Sequence, residues 1–150
     1  MNNLFMPAAR HFFSEQEQKQ IQAAIEEAES HTSGEIRLHL ENFCSGNEVN
    51  VASRIFTAIG MHKTRDRNGV LIYIATLSHK IAVIGDKGIH EKLGTPYWEK
   101  LVENLITEFK AKHRSEALVT CITDLGKQLS TYFPRAGDDR NELTNDISFS

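Results

Sequence analysis

Several features are scarce in or missing from this chain of 150 residues, and each scarcity argues against a class of protein. No run of apolar residues approaches the ~18 that a membrane-spanning helix needs, so no transmembrane segment is predicted. Basic residues do not outnumber acidic ones and the formal net charge is −3, so nucleic acid is not an expected partner. The remaining composition, 40% hydrophobic and 25% charged, is typical of one globular domain.

Cysteine is equally scarce. The two cysteines, Cys44 and Cys121, lie far apart and outside any C-x-x-C spacing. We therefore expect free thiols in a reducing compartment. The N-terminal segment lacks the basic leader and the apolar core of a secretory signal. These two absences together predict a cytoplasmic location.

Established catalytic signatures are also missing. The chain has no Walker loop, no G-x-G-x-x-G, no G-x-S-x-G and no H-E-x-x-H. The sequence from Asp66 to Gly69 has the opening of a calcium loop without its remaining ligands, so an EF-hand is excluded.

The most informative stretch that is present runs over residues 67–88. Two apolar runs, 70–75 and 81–84, are rich in β-branched residues and flank a short polar break. Both runs are too short for typical helices, so they predict two strands joined in a hairpin. Because a continuous apolar run is covered on both faces, the hairpin is expected inside a layered α/β domain.

Alternating residues predict a further strand over 35–41, with Arg37, His39 and Glu41 on its wetter face. Amphipathic helices are expected before this strand, between it and the hairpin, and twice after the hairpin. The first of these helices should begin at a capping box formed by Ser14 and Glu17. The fold class predicted is therefore α/β: a three-layer α/β/α sandwich with a mixed central sheet.

The domain is expected to span residues 1–134. Residues 135–150 are polar and are predicted to form a flexible tail. Ile147 and Phe149 are the two tail residues that could dock in a groove of the domain.

Oxygen-bearing side chains should converge at one end of the predicted sheet. Glu35 starts the first strand, Asp66 and Asn68 precede the second, and Asp86 follows the third. The starts of two parallel strands and the end of an antiparallel one share one end of a sheet. Hard cations such as Ca²⁺ bind several oxygen ligands, so these four residues are the predicted metal ligands. We call this part of the sheet the acidic end.

A simpler interpretation of the acidic end stays open. Asp66 and Asn68 would then form a turn, while Glu35 and Asp86 would be solvated or paired with Arg65 or Arg67. These arginines and Lys87 could also neutralise a phosphate-bearing ligand.

The order of these motifs resembles the TPM domain family, known from thylakoid-lumen proteins of photosystem II repair and from many bacterial proteins. The residues that carry the resemblance are S-G-E-I-R, R-N-G-V-L-I-Y-I-A and H-K-I-A-V-I-G-D-K-G-I, followed by a tryptophan helix and a last helix ending in F-P. The resemblance covers about residues 12–134 and is closest to short, soluble bacterial members. It implies an α/β/α sandwich, with acid-phosphatase activity in some plant members and calcium binding in some bacterial ones.

Two hypotheses follow from the residues and the resemblance. In the first, the chain is a divalent-cation-binding module, with calcium as the expected ion and a binding or assembly role. In the second, it is a weak metal-dependent phosphatase, a phosphomonoesterase in which the metal polarises phosphate oxygens and activates water. No residue stands out as base or nucleophile, which favours the binding module. The sequence names no protein partner.

Overall fold

A mixed four-stranded sheet forms the centre of the computed structural model, which describes residues 7–135 and 147–150. Its strand order is β3-β2-β1-β4. The strands are β1 (Glu35–Glu41), β2 (Gly69–Ala75), β3 (Lys80–Gly85) and β4 (Ser148–Phe149). β1 and β2 are parallel, and β2 and β3 form the predicted antiparallel hairpin.

The helices cover both faces of the sheet. They are α1 (Glu15–Glu29), α2 (Glu48–Ala58), α3 (Lys87–Leu93), α4 (Thr95–Lys110) and α5 (Arg114–Tyr132). One core lies under α1, α4 and α5 and includes Ile36 and Ile72, while the other lies under α2 and includes Leu71. Every residue of β2 is buried, because helices pack on both of its faces. The predicted α/β/α sandwich is confirmed.

Local signals explain most of the element boundaries, with one exception. The capping box is present: Glu17 N donates to Ser14 Oγ, and Ser14 N donates to Glu17 Oε1. The exception is the segment after β3, which forms α3, a third helix where only two were expected after the hairpin. Asp86 caps this helix and Gly94, with φ of +80°, ends it. Seven residues are too few for a clear amphipathic period, so the pattern gave little sign of a helix.

The last four residues lie on the sheet. Ser148 and Phe149 pair in parallel with His39 and Leu40, and the Ile147 side chain is buried. The imidazole of His39 hydrogen-bonds to the hydroxyls of Ser148 and Ser150, so this residue of the predicted wetter face is in fact buried. The other part of the expected tail, 136–146, lies outside the described residues, and its flexibility stays a prediction.

Within the described ranges 7–135 and 147–150, no helix is both long and apolar enough to cross a membrane.

Candidate functional site

The backbone brings the predicted site residues to one end of the sheet. Glu35 pairs with Gly69 in the parallel ladder, and Val70 pairs with Gly85 in the antiparallel one. Asp86 N also donates to Gly69 O at 2.9 Å. The starts of β1 and β2 and the end of β3 are therefore neighbours, as the acidic end requires.

Asp86 is held by an arginine. Arg67 Nε donates to Asp86 Oδ2 at 2.7 Å, and its terminal NH2 group donates to Oδ1 at 3.0 Å. Lys87 N donates to the same Oδ1 at 2.8 Å, so the carboxylate also caps α3. The hydrogen bonds that Arg67 donates to this carboxylate, and after them the carboxylate's negative charge, raise the pKa of Arg67. Both oxygens of Asp86 thus accept hydrogen bonds, one at Oδ2 and two at Oδ1.

A glycine at the start of α3 lets the loop that carries Arg67 pack closely against this helix. Gly88 N donates to Arg67 O at 2.8 Å. A Cβ at position 88 would lie 2.2 Å from Asp66 O and 2.7 Å from Arg67 O, so only glycine allows this approach. Arg67 itself has φ of +52°, in the left-handed region that few non-glycine residues adopt. The last glycine of the G-D-K-G motif, Gly88, therefore allows the loop that carries Asp66 and Arg67 to pack against α3.

Asn68, Ser33 and Asp66 form a second group. Asn68 Nδ2 donates to Ser33 Oγ at 3.1 Å, and Ser33 Oγ donates to Asp66 Oδ2 at 3.4 Å. Asn68 N donates to Thr64 Oγ1 at 3.1 Å, which fixes the start of β2. The side chain of Asp66 is 39% exposed and lies 3.5 Å from the guanidinium of Arg65.

The amide oxygen of Asn68 is the unusual atom of this group. Asn68 is 1% exposed, yet its Oδ1 has no hydrogen-bond partner among the residues that the structure describes. A buried polar atom without a partner is costly, and in a folded protein it usually meets water or an ion. The oxygen belongs to the same amide whose nitrogen donates to Ser33.

Glu35 is turned away from this group, towards α1. Glu29, the last residue of α1, forms a side-chain hydrogen bond with Glu35, and both residues are buried. Ile36 N also donates to Glu29 Oε2 at 2.7 Å. Burial, and after it the charge of Glu35, raises the pKa of Glu29 to about 9. At neutral pH the Glu29–Glu35 pair therefore holds a proton.

Sequence reasoning missed Glu29, although a signal was available. Glu29 lies four positions after Ile25 and eight after Ile21, on the buried face of α1. A carboxylate on an apolar stripe is expected to find a partner or a proton.

The four predicted ligands are thus divided among three sets of contacts. Asp86 binds Arg67, Glu35 binds Glu29, and Asp66 and Asn68 share Ser33. Within the described ranges, no group of three or more His, Cys, Asp or Glu side chains is placed to hold a metal ion.

A mixed sheet between helical layers, with polar groups at the shared strand ends, defines this chain as an α/β/α sandwich domain. The sequence model of the TPM domain matches residues 8–128, and the chain therefore belongs to the TPM domain family. The NMR structure of the BA42 protein from the psychrophilic bacterium Bizionia argentinensis is similar, with a TM-score of 0.85 and 37% sequence identity. The similarity covers 93% of this chain and 96% of that one. No functionally curated protein matches this chain.

Proposed function

We propose that this TPM domain is a divalent-cation-binding module with a binding or assembly role, and that calcium is its ion. Asp66 and Asn68 supply the side-chain ligands, and loop carbonyls and water complete the set. Ca²⁺ accepts carboxylate, amide and carbonyl oxygens in flexible geometry, and it tolerates several water ligands. The observation that carries the proposal is the buried Oδ1 of Asn68, which has no partner among the described residues.

The surroundings of these two residues support a cation. Asp66 is the predicted ligand whose carboxylate is most open to solvent, since Glu35 and Asp86 are buried. Asp86 and Glu35 contribute indirectly, because Asp86 positions Arg67 and Glu35 anchors the start of β1. A site with a single exposed carboxylate is expected to bind calcium weakly, because calcium affinity rises with the charge of the ligands.

A calcium titration followed by amide NMR tests this proposal. We expect shifts at residues 33, 66 and 68, and a stabilisation of about 1.4 kcal/mol at a calcium concentration ten times Kd. Asp66→Asn keeps the shape and removes the charge, and Asn68→Ala removes the amide oxygen; both should abolish the response. Glu91→Gln, which removes an exposed carboxylate on α3, is the matched control and should respond like the wild type.

Two outcomes would contradict the cation site. One is the absence of any calcium response in the wild type. The other is a response that survives in Asp66→Asn and in Asn68→Ala, provided that their spectra without calcium show an intact fold.

The alternative function is a metal-assisted phosphomonoesterase. It has a specific observation in its favour: the exposed side chains of Arg65 and Lys87 lie beside the acidic end and could neutralise a phosphate. An aryl phosphate assay on the calcium-titrated samples separates the two functions. Metal-dependent turnover that falls in Lys87→Gln and in Asp66→Asn would favour the enzyme, whereas calcium binding without turnover would favour the module.

A further inference from the structure

A long groove lies between α4 and α5. Its volume is about 660 Å³, within the range of small-molecule pockets. On α4 the lining follows one helical stripe from Tyr97 to Glu108, and on α5 it runs from Glu116 to Asp124. The two ends of the α5 lining are eight positions apart, which corresponds to ~12 Å along a helix. The groove is therefore elongated and suits a linear ligand.

The middle of the groove is mainly apolar, and Asn104 and Thr120 also line it. Leu101, Leu105, Ala117 and Cys121 line it, and the two leucines also belong to the main core. Burial raises the pKa of the Cys121 thiol to about 12, so the sulfur stays neutral at physiological pH and adds to the apolar surface. Such a surface favours the methylene groups of a ligand over its charged groups.

Carboxylates stand at both ends of the groove. Glu108 and Glu116 lie at the end nearest the connection between the two helices, and Asp124 lies at the other end. Tyr97 donates its phenolic hydrogen to Asp124, which orients that carboxylate. The pKa of Tyr97 is raised by burial and by this hydrogen bond, so the phenol remains a donor.

The charges of the described lining residues are predominantly negative. Three carboxylates line the groove and Lys100 supplies one ammonium group, while His113 Nδ1 lies 3.1 Å from Glu108 Oε2 just outside the lining. An elongated apolar floor with negative ends complements a flexible chain of methylenes that is positively charged at both ends.

We propose that the groove between α4 and α5 binds a linear aliphatic polyamine, with its terminal ammonium groups at Asp124 and at the Glu108–Glu116 pair. The methylene chain lies over Leu101, Leu105 and Cys121. A monoamine satisfies one end only, and a short diamine cannot span the floor.

Spermidine is the probe for this proposal, and hexylamine and ethylenediamine are its controls. Trp98 fluorescence and amide NMR both report on the groove, because the Trp98 ring lies 5.2 Å from that of Tyr97. We expect spermidine to shift amides along 97–108 and 116–124 and to bind more tightly than either control. Salt should weaken the binding, since exposed ion pairs are screened.

Matched variants separate a specific groove from general attraction to an acidic protein. The groove variant, Glu116→Gln with Asp124→Asn, should weaken spermidine binding about fivefold, because it removes the ion pairs of the exposed Glu116 and the half-buried Asp124. The control variant, Glu99→Gln with Glu103→Gln, removes the same charge from exposed positions of α4 that do not line the groove. It should change the affinity by less than about twofold.

Three results would overturn the proposal: equal weakening in both double variants, hexylamine binding as tightly as spermidine, or spermidine shifts confined to residues 33–35 and 64–68. Asn can still accept the Tyr97 hydrogen bond at position 124, so the groove variant is expected to fold. Its melting temperature without ligand checks this.

Discussion

Asp86 and Glu35 lie at the same end of the sheet, and both are almost completely buried, yet the protein compensates the two carboxylates in different ways. Asp86 accepts two hydrogen bonds from Arg67, and the positive guanidinium balances the negative charge of the carboxylate. Glu35 is paired with a second acid, Glu29, whose pKa is raised to about 9. A buried carboxylate needs either a counter-ion or a proton nearby, and this sheet end contains one example of each solution.

The difference has a structural cause. Arg67 reaches Asp86 from a loop next to solvent, so a charged partner can be supplied there at modest desolvation cost. Glu35 faces the buried end of α1, where a proton on the neighbouring Glu29 leaves less charge to bury. Asp66 differs from both, because its side chain is 39% exposed and its carboxylate lies 3.5 Å from the guanidinium of Arg65.

The largest expected effect comes from forcing apart the loop and the helix that hold Asp86. Gly88→Ala places a methyl group against the carbonyl oxygens of Asp66 and Arg67 and should destabilise the fold by about 3 kcal/mol. Urea unfolding measures this, and Lys87→Ala, at the exposed neighbouring position, should change stability by less than about 0.5 kcal/mol. A cost for Gly88→Ala as small as that of the control would mean that the loop does not rest on α3.

The next effect concerns the proton on Glu29. Because the pKa of Glu29 is raised from its ordinary 4.5 to about 9, the folded protein keeps a proton that the unfolded chain releases. The stabilisation from that proton is complete below about pH 4.5 and is lost as pH rises towards 9. Between pH 7 and 8.5 the free energy of unfolding should therefore fall by up to about 2 kcal/mol.

Glu29→Gln sharpens this prediction, because an amide mimics the protonated acid and does not titrate. In this variant the decrease between pH 7 and 8.5 should largely disappear, as measured by urea unfolding at both pH values. An unchanged pH dependence would show that Glu29 is already ionised at pH 7.

The smallest of the three effects is expected at Asp86. Asp86→Asn keeps a cap for α3 but removes the charge that balances Arg67. Since the Arg67 side chain is 41% exposed and can be hydrated instead, the cost should be only about 1 kcal/mol. This change should leave the decrease in stability between pH 7 and 8.5 intact. Loss of that decrease would mean that the two carboxylate systems are coupled.

Much of the fold could be predicted because local patterns and burial agree. The apolar runs of β2 and β3, the alternation in β1 and the capping box of α1 each specify an element without long-range information. Strand polarity then follows from chain connectivity, which is why the meeting of Glu35, Asp66, Asn68 and Asp86 at one sheet end could be anticipated. The helix α3 and the strand β4 were not predicted, because both are short and depend on tertiary contacts.

The candidate site could be predicted only as far as its location. The sequence placed four oxygen-bearing residues near one another but could not tell which would find partners. Glu29 lies on α1 and reaches Glu35 only after α1 packs beside β1. Similarly, Ser33 connects Asn68 to Asp66 only because the start of β1 and the loop before β2 are brought together.

The amino-acid sequence by itself therefore determined the layers, the hairpin of the sheet and the family of this protein. The hydrophobic periodicity of helices and strands and the residue preferences of turns are set by neighbouring residues, so they can be recognised without the tertiary structure. The tertiary structure decided which carboxylate is neutralised by arginine and which pair shares a proton, and it leaves Asn68 Oδ1 buried without a partner among the described residues. It also decided that α4 and α5 enclose a groove with acidic ends. These properties depend on distances of a few ångströms between residues that are far apart in the chain. Such distances, which set the burial and the charge pairing of each side chain, are fixed only when the helices and strands pack together.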